Sequence, residues 1–170
     1  MRRNTCINII LTAVIAATVV VCDQLTKLWV LSSFELGESR EVIPGILNWT
    51  YIRNDGAAMG MLSDHRWIFM ILSALLILVI VLFIILSKDV SRPLTVVLAA
   101  ILGGGIGNMI DRFAYGYVVD FIDVKFLPFW KWIFNVADIF VTVGAILLAV
   151  VYIATELKHK KETGNDGTNV

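Results

Sequence analysis

Apolar residues gather along this chain into four long runs, separated by one short and two longer polar connections. The run Trp67 to Leu86 is the cleanest, with Ser73 its one polar interruption. Leu94 to Ile110 is a second, rich in glycine and alanine, and Val136 to Ala154 a third. Ile9 to Cys22 is shorter and continues through Asp23 to another apolar patch at Leu28 to Leu31, so it reaches full length only by including polar positions. Each run is close to the roughly 20 residues a helix needs to cross a hydrocarbon core of about 30 Å, and four membrane helices are predicted. The pattern changes between the first two. Glu41 to Ile52 carries turn residues at Pro44 and Gly45 and then β-branched and aromatic residues, which predicts a short strand or hairpin on the membrane surface. Trp49 and Tyr51 are expected there at headgroup level.

Basic residues in the short flanks set the expected orientation. Arg2 and Arg3, Lys88 and Arg92, and Lys158, Lys160 and Lys161 all fall on one side of a four-pass arrangement. The positive-inside rule assigns that side, with both termini, to the cytoplasm. The connections 32–66 and 111–135 then face outward, where the activity is expected. Residues 1–157 read as a single transmembrane domain, and the polar stretch 158–170 as a disordered cytoplasmic tail. The start of the chain, ending in Val19-Val20-Val21-Cys22, imitates a lipoprotein leader. Branched Val21 stands where cleavage wants a small residue, so the first run is kept as a membrane helix.

Composition agrees with the pattern. Hydrophobic residues make up 58% of the 170 and charged residues only 16%, with a mean hydropathy of +0.82. An all-α polytopic membrane protein with a small β element on its outer face is the fold class this implies. A formal net charge of zero, without a basic patch, excludes a nucleic-acid partner and leaves membrane lipids. Cys6 and Cys22 lack CxxC spacing and read as small apolar fillers. His65 and His159 are too few and too far apart for triad chemistry or a multi-histidine metal site, so no metal or cofactor is expected.

Acids then stand out, because a carboxylate in or beside a bilayer is expensive unless something uses it. By helical rise, Asp23 and Asp111 lie about 15 and about 17 residues up their helices from the cytoplasmic end, in the outer half of the membrane. Asp138 falls in the first turn of the fourth helix, and Asp120 sits inside Val118-Val119-Asp120-Phe121-Ile122 in the outward connection. All four can meet at one level. Structural roles compete for three of them. Asn135 to Asp138 has the spacing of a capping box, Asp23 and Lys27 form an i, i+4 pair, and Asp111 is followed at once by Arg112. Asp120 alone has no such alternative.

The run Gly103-Gly104-Gly105-Ile106-Gly107-Asn108 lacks the spacing and the preceding strand of a nucleotide loop. Gly103 and Gly107 lie one turn apart, the small-xxx-small pattern of close membrane-helix packing, which would bring Asn108 in reach of other helices. Two carboxylates held together share a proton, one acting as base and one as acid, which is the equipment of an aspartic peptidase. Intramembrane carboxylates beside a glycine-rich helix also suit a small proton or cation transporter, although the acids cluster at one face rather than along a path. A scaffold subunit whose acids only pair helices is a third reading.

Five blocks taken in order narrow these choices. Asp23-Gln24-Leu25-Thr26-Lys27, Asn54-Asp55-Gly56-Ala57-Ala58, Gly104 through Gly107-Asn108 to Asp111-Arg112, Val118-Val119-Asp120-Phe121 and Phe134-Asn135-Val136-Ala137-Asp138 closely resemble the bacterial lipoprotein signal peptidase family, signal peptidase II. One departure is Met59, where the family pattern has an aromatic. The resemblance implies an intramembrane aspartyl peptidase, working as a monomer in the bacterial cytoplasmic membrane with its site toward the extracytoplasmic face. Its substrates would be diacylglyceryl-modified prolipoproteins, cut just before the lipidated cysteine. Asp120 and Asp138 would be the catalytic pair. Asp23, Lys27, Asn54, Gly56, Asn108, Asp111, Arg112 and Asn135 would bind substrate or organise the site.

Overall fold

A computed structural model describes residues 3–56, 66–87, 90–126 and 132–165. In it, four helices carry a four-stranded antiparallel sheet. The elements run α1 (Arg3–Ser33), β1 (Ser39–Ile43), β2 (Leu47–Asn54), α2 (Arg66–Leu86), α3 (Arg92–Ala114), β3 (Val118–Val124), β4 (Ile133–Phe134) and α4 (Val136–Asn165). Each helix contains a segment long and apolar enough to span a membrane.

The first apolar run and its downstream patch form one unbroken helix of 31 residues, about 46 Å long. That length exceeds the hydrocarbon core and carries Asp23 and Lys27 along without a break. Helix α3 continues to Ala114, so Asp111 and Arg112 belong to a helix rather than to the following connection. It ends where Gly116, at φ +83°, takes the left-handed conformation that a side chain would strain, and its N–H bonds back to the Arg112 carbonyl. Helix α4 runs to Asn165, past position 158 where a disordered tail is expected. Glu156, Leu157, Lys158, Lys160, Lys161 and Glu162 are all good helix formers, and they extend it. Residues 166–170, like Met59 and His65, lie outside the described residues.

Helix α3 is the hub, packed against α1, α4 and α2. Its glycines set the spacing. A Cβ on Gly103 would lie 2.7 Å from Val19 Cβ on α1, and one on Gly104 would lie 2.6 Å from the Ala137 carbonyl oxygen on α4. Helix α4 reciprocates through Gly144, where a Cβ would meet Ile101 Cγ1 at 2.5 Å. Such contacts are closer than any real side chain allows, which is the physical content of the small-residue pattern. Ala16, Ile80, Ile84, Leu98, Ile101 and Leu102 fill the space between α1, α2 and α3.

The sheet is larger than the predicted hairpin. Strands β1 and β2 pair as expected, but β2 also pairs with β3 and β3 with β4, in the order β1-β2-β3-β4, so both long connections merge into one sheet. One face of it packs Tyr51, Val119 and Phe121 onto Val30 and Phe34 at the end of α1. Tyr51 is thereby buried instead of lying in the headgroup layer. Cys22 is likewise no filler: it is exposed on the surface of α1, and Cys6 is half-buried. A bulge interrupts the β2/β3 register between Trp49 and Ile52, beside the position where Ile52 faces Asp120.

Candidate active site

Asp120 and Asp138 approach one site from different elements. Asp120 is buried in the middle of β3, and Asp138 is the third residue of α4. Asn135 joins them. Its side-chain Oδ1 accepts the Asp138 N–H at 3.0 Å while its own N–H donates to Asp138 Oδ2 at 3.2 Å, which completes the capping box read from the sequence. The remaining amide nitrogen, Nδ2, donates to Asp120 Oδ1 at 2.6 Å. One side chain thus caps the helix and fixes the strand's carboxyl against it.

The other oxygens of the pair are also held. Asn108 Nδ2 donates to Asp138 Oδ1 at 2.7 Å, and Asn54 Nδ2 donates to Asp120 Oδ2 at 2.8 Å. Each of these amides is oriented from behind. The Gly56 N–H reaches Asn54 Oδ1 at 3.2 Å, and Lys27 Nζ reaches Asn108 Oδ1 at 3.0 Å, so in both the amide nitrogen faces the carboxylate. Burial pushes the Asp120 carboxyl up to about 7, and the nearby Asp138 charge adds to the shift. The Asn54 and Asn135 donors and the Lys27 charge oppose it.

Lys27 is itself buried, and its three ammonium hydrogens have three partners. Beyond Asn108 these are Asp23 Oδ2 at 2.8 Å and Asp111 Oδ2 at 3.0 Å. The i, i+4 pair expected on α1 therefore exists, but Asp111 is neutralised across the helix interface by Lys27 and not by its neighbour Arg112. An α-helix sends adjacent side chains about 100° apart, so sequence adjacency is a poor guide to pairing there. Arg112 turns instead toward the Asn108 carbonyl oxygen at 3.3 Å and the Phe69 ring of α2, 5.8 Å from its centroid. Both acids also stitch the elements together. Asp23 Oδ1 accepts the Ala137 N–H of α4 at 2.9 Å, and Asp111 Oδ2 accepts the Val119 N–H of β3 at 3.0 Å.

Gln24 completes this layer without having been singled out as a site residue. Its Nε2 donates to Asp111 Oδ1 at 2.8 Å and lies 3.2 Å from both Asp23 Oδ2 and the Gly107 carbonyl oxygen. Its signal was an uncharged amide inside a membrane helix, next to an acid that needed donors. All ten residues expected at the site thus belong to one continuous cluster built from α1, β2 and the turn after it, α3, β3 and α4. Among the described residues no group of three or more His, Cys, Asp and Glu is placed to hold a metal ion. Two carboxyl groups tied into one hydrogen-bond network, at the junction of the helix bundle and the sheet, are groups of the kind that can accept and donate protons in a hydrolysis.

Comparison with known proteins points the same way. Residues 15–154 match the sequence profile of a family described as Signal peptidase (SPase) II. The chain is 40% identical over 146 residues to the lipoprotein signal peptidase of Listeria welshimeri, covering 86% of this chain and 95% of that protein. It is 38% identical over 141 residues to the one of Streptococcus agalactiae, covering 83% and 90%. A solved bacterial membrane enzyme superposes with a TM-score of 0.79 at 37% identity, over 84% of this chain and 87% of that one.

Proposed function

This chain belongs to the signal peptidase II family, and on that premise we propose that it removes the signal peptide of diacylglyceryl-modified prolipoproteins, using Asp120 and Asp138 to direct water at the bond just before the lipidated cysteine. The family supports the peptidase activity and the prolipoprotein substrate. Support for the dyad is the bridge through Asn135, which holds the buried carboxyl group of Asp120 and the half-buried one of Asp138 within one hydrogen-bond network.

The surroundings divide the roles. Asp138 stands in the first turn of α4, where the helix dipole suits an anion. It is the base that takes a proton from the attacking water. Asp120, held in a strand and raised to about 7 by burial, carries the proton. It gives that proton to the substrate carbonyl oxygen as the tetrahedral intermediate forms; when the C–N bond breaks, the proton taken by Asp138 goes to the departing amine and a hydroxyl proton of the intermediate returns to Asp120. Asn54 and Asn108 hold the carboxyl groups in place, while Lys27, Asp23, Asp111 and Gln24 hold α1, α3, α4 and β3 in register beneath them. Arg112 and Gly56, at the edges of the cluster, meet the substrate. The basic flanks favour cytoplasmic termini, with the site opening toward the extracytoplasmic face of the bacterial inner membrane. Transport has no comparable support, because α2 offers lipid-facing apolar residues and no polar path.

The test is cleavage of a prolipoprotein peptide in detergent, with and without its diacylglyceryl group, by the parental chain and by Asp120→Asn and Asp138→Asn. Cleavage is expected of the lipid-modified peptide by the parental chain alone. Parental rates from either variant would refute the dyad.

A further inference from the structure

The sheet ends in an apolar tip that the site does not use. Every residue from Glu41 to Ile46 is exposed, and Val42, Ile43 and Ile46 are each more than two-fifths so. Phe126, 58% exposed, joins them, because the Lys125 N–H bonds the Ile46 carbonyl oxygen at 2.8 Å and brings the end of β3 against the turn. Glu41 is the one acid in the turn, and its Oε1 accepts the Gly45 N–H at 3.0 Å, so it closes the turn from within. Strand β1 is moreover an edge strand, exposed along its whole length. In water a bare apolar edge of this kind invites association with other chains.

What covers the tip is indicated by what it adjoins. Leu25, Leu28 and Trp29 form an exposed apolar strip on the membrane-spanning α1, which ends directly beneath the hairpin. Trp29 contacts both Phe34, 5.4 Å between ring centroids, and Trp49 of β2, 6.1 Å, so the lipid-facing strip continues through aromatic rings onto the sheet. Aromatic residues at a helix end mark the interface of a bilayer. From this continuity we infer that the β1–β2 turn, with Phe126, dips into the lipid leaflet on the sheet's side of the membrane. The sheet is then pinned at two ends. Asp111 and Asn135 fasten one end of it, at Val119 and Asp120, to the helix bundle, and Val42, Ile43, Ile46 and Phe126 fasten the other in lipid. Lys125, half exposed beside Phe126, lies at headgroup depth, where a cation is favoured.

The experiment uses the full chain in phosphatidylglycerol/phosphatidylethanolamine liposomes, with Cys6 and Cys22 replaced by serine and one spin-labelled cysteine at a time. Labels on Ile43→Cys and Ile46→Cys are expected to collide with oxygen in preference to a water-soluble nickel chelate, as a label on Leu28→Cys does. Labels on Ser39→Cys and Asn48→Cys are expected to show the reverse. Nickel access at both tip positions equal to that at Ser39 would overturn the inference. So would protection from both reagents, the result expected if a second copy or a peptide covered the edge.

Discussion

Asn135 donates to Asp120 at 2.6 Å with the same side chain whose oxygen caps α4 at Asp138. Stability and site geometry therefore depend on one amide. Asn135→Ala is expected to lose about 1 kcal/mol of stability from the missing cap. Cleavage should fall by tenfold or more, because Asp120 is released from its fixed direction toward Asp138. Thermal unfolding in detergent and peptide cleavage measure the two effects separately. Asn135→Ser restores the cap oxygen but not the donor to Asp120, so it should recover stability and not activity.

Raised to about 7 by burial and by the Asp138 charge, Asp120 gives cleavage an alkaline limit. The acid must hold its proton, so the rate is expected to fall as pH rises through about 7. Asn54 stabilises the ionised form, and Asn54→Ala should move this limb to higher pH while lowering its plateau. Stability follows the same proton. Folded Asp120 keeps it until about 7 while an unfolded carboxyl releases it near 3.8, so the folded state binds more protons in that window. This group's contribution accordingly declines as pH rises from 3.8 to about 7 and is level above it. A pH series of cleavage rates and melting temperatures, with the parental chain and Asn54→Ala side by side, checks both.

Two glycines of α3 should respond oppositely to alanine. At Gly107 a Cβ would fall 2.5 Å from Asp23 Oδ2 and 3.1 Å from its Cγ. Gly107→Ala must displace the carboxylate that holds Lys27 and α4, at a cost of about 1–3 kcal/mol for overpacking and with loss of cleavage. At Gly105 the nearest atom is Ile77 Cγ1 at 3.7 Å, an ordinary contact. Gly105→Ala should be neutral or stabilising by up to about 1 kcal/mol through helix propensity. Unfolding in mixed micelles ranks the pair.

Removing the Lys27 ammonium leaves Asp23 and Asp111 buried without a cation. Lys27→Met is expected to destabilise the fold by about 3–5 kcal/mol. Adding Asp23→Asn and Asp111→Asn removes the uncompensated charge and should recover most of the loss. If the triple variant melted no higher than the single one, charge compensation would not be what Lys27 supplies.

Features set by local chemistry were legible in the sequence. Spans follow from runs of apolar residues, the capping box from a spacing of three, and helix contact from glycines one turn apart, and each stands at the expected residues. Partnerships between distant segments were not. Val118 to Val124 carries apolar residues and one acid on each face and gives no alternating pattern, so its pairing with β2, about 70 residues earlier, left no local trace. Adjacency suggests Arg112 as the partner of Asp111, whereas its cation comes from Lys27 on another helix. Gln24 shows its role only once the acids around it are known. Asp120 is the exception: a lone acid among apolar residues is costly unless something uses it, and Asn54 and Asn135 both donate to it.

Lys27, Asp23 and Asp111 draw α1, α3, α4 and β3 to a single point, directly beneath the two carboxyl groups. Asp120 and Asp138 come together only where β3, α3 and α4 meet, because Asn135 and Asn108 bridge those elements. The candidate site is thus a product of the whole fold: it exists only once α4 has packed against α3 and β3.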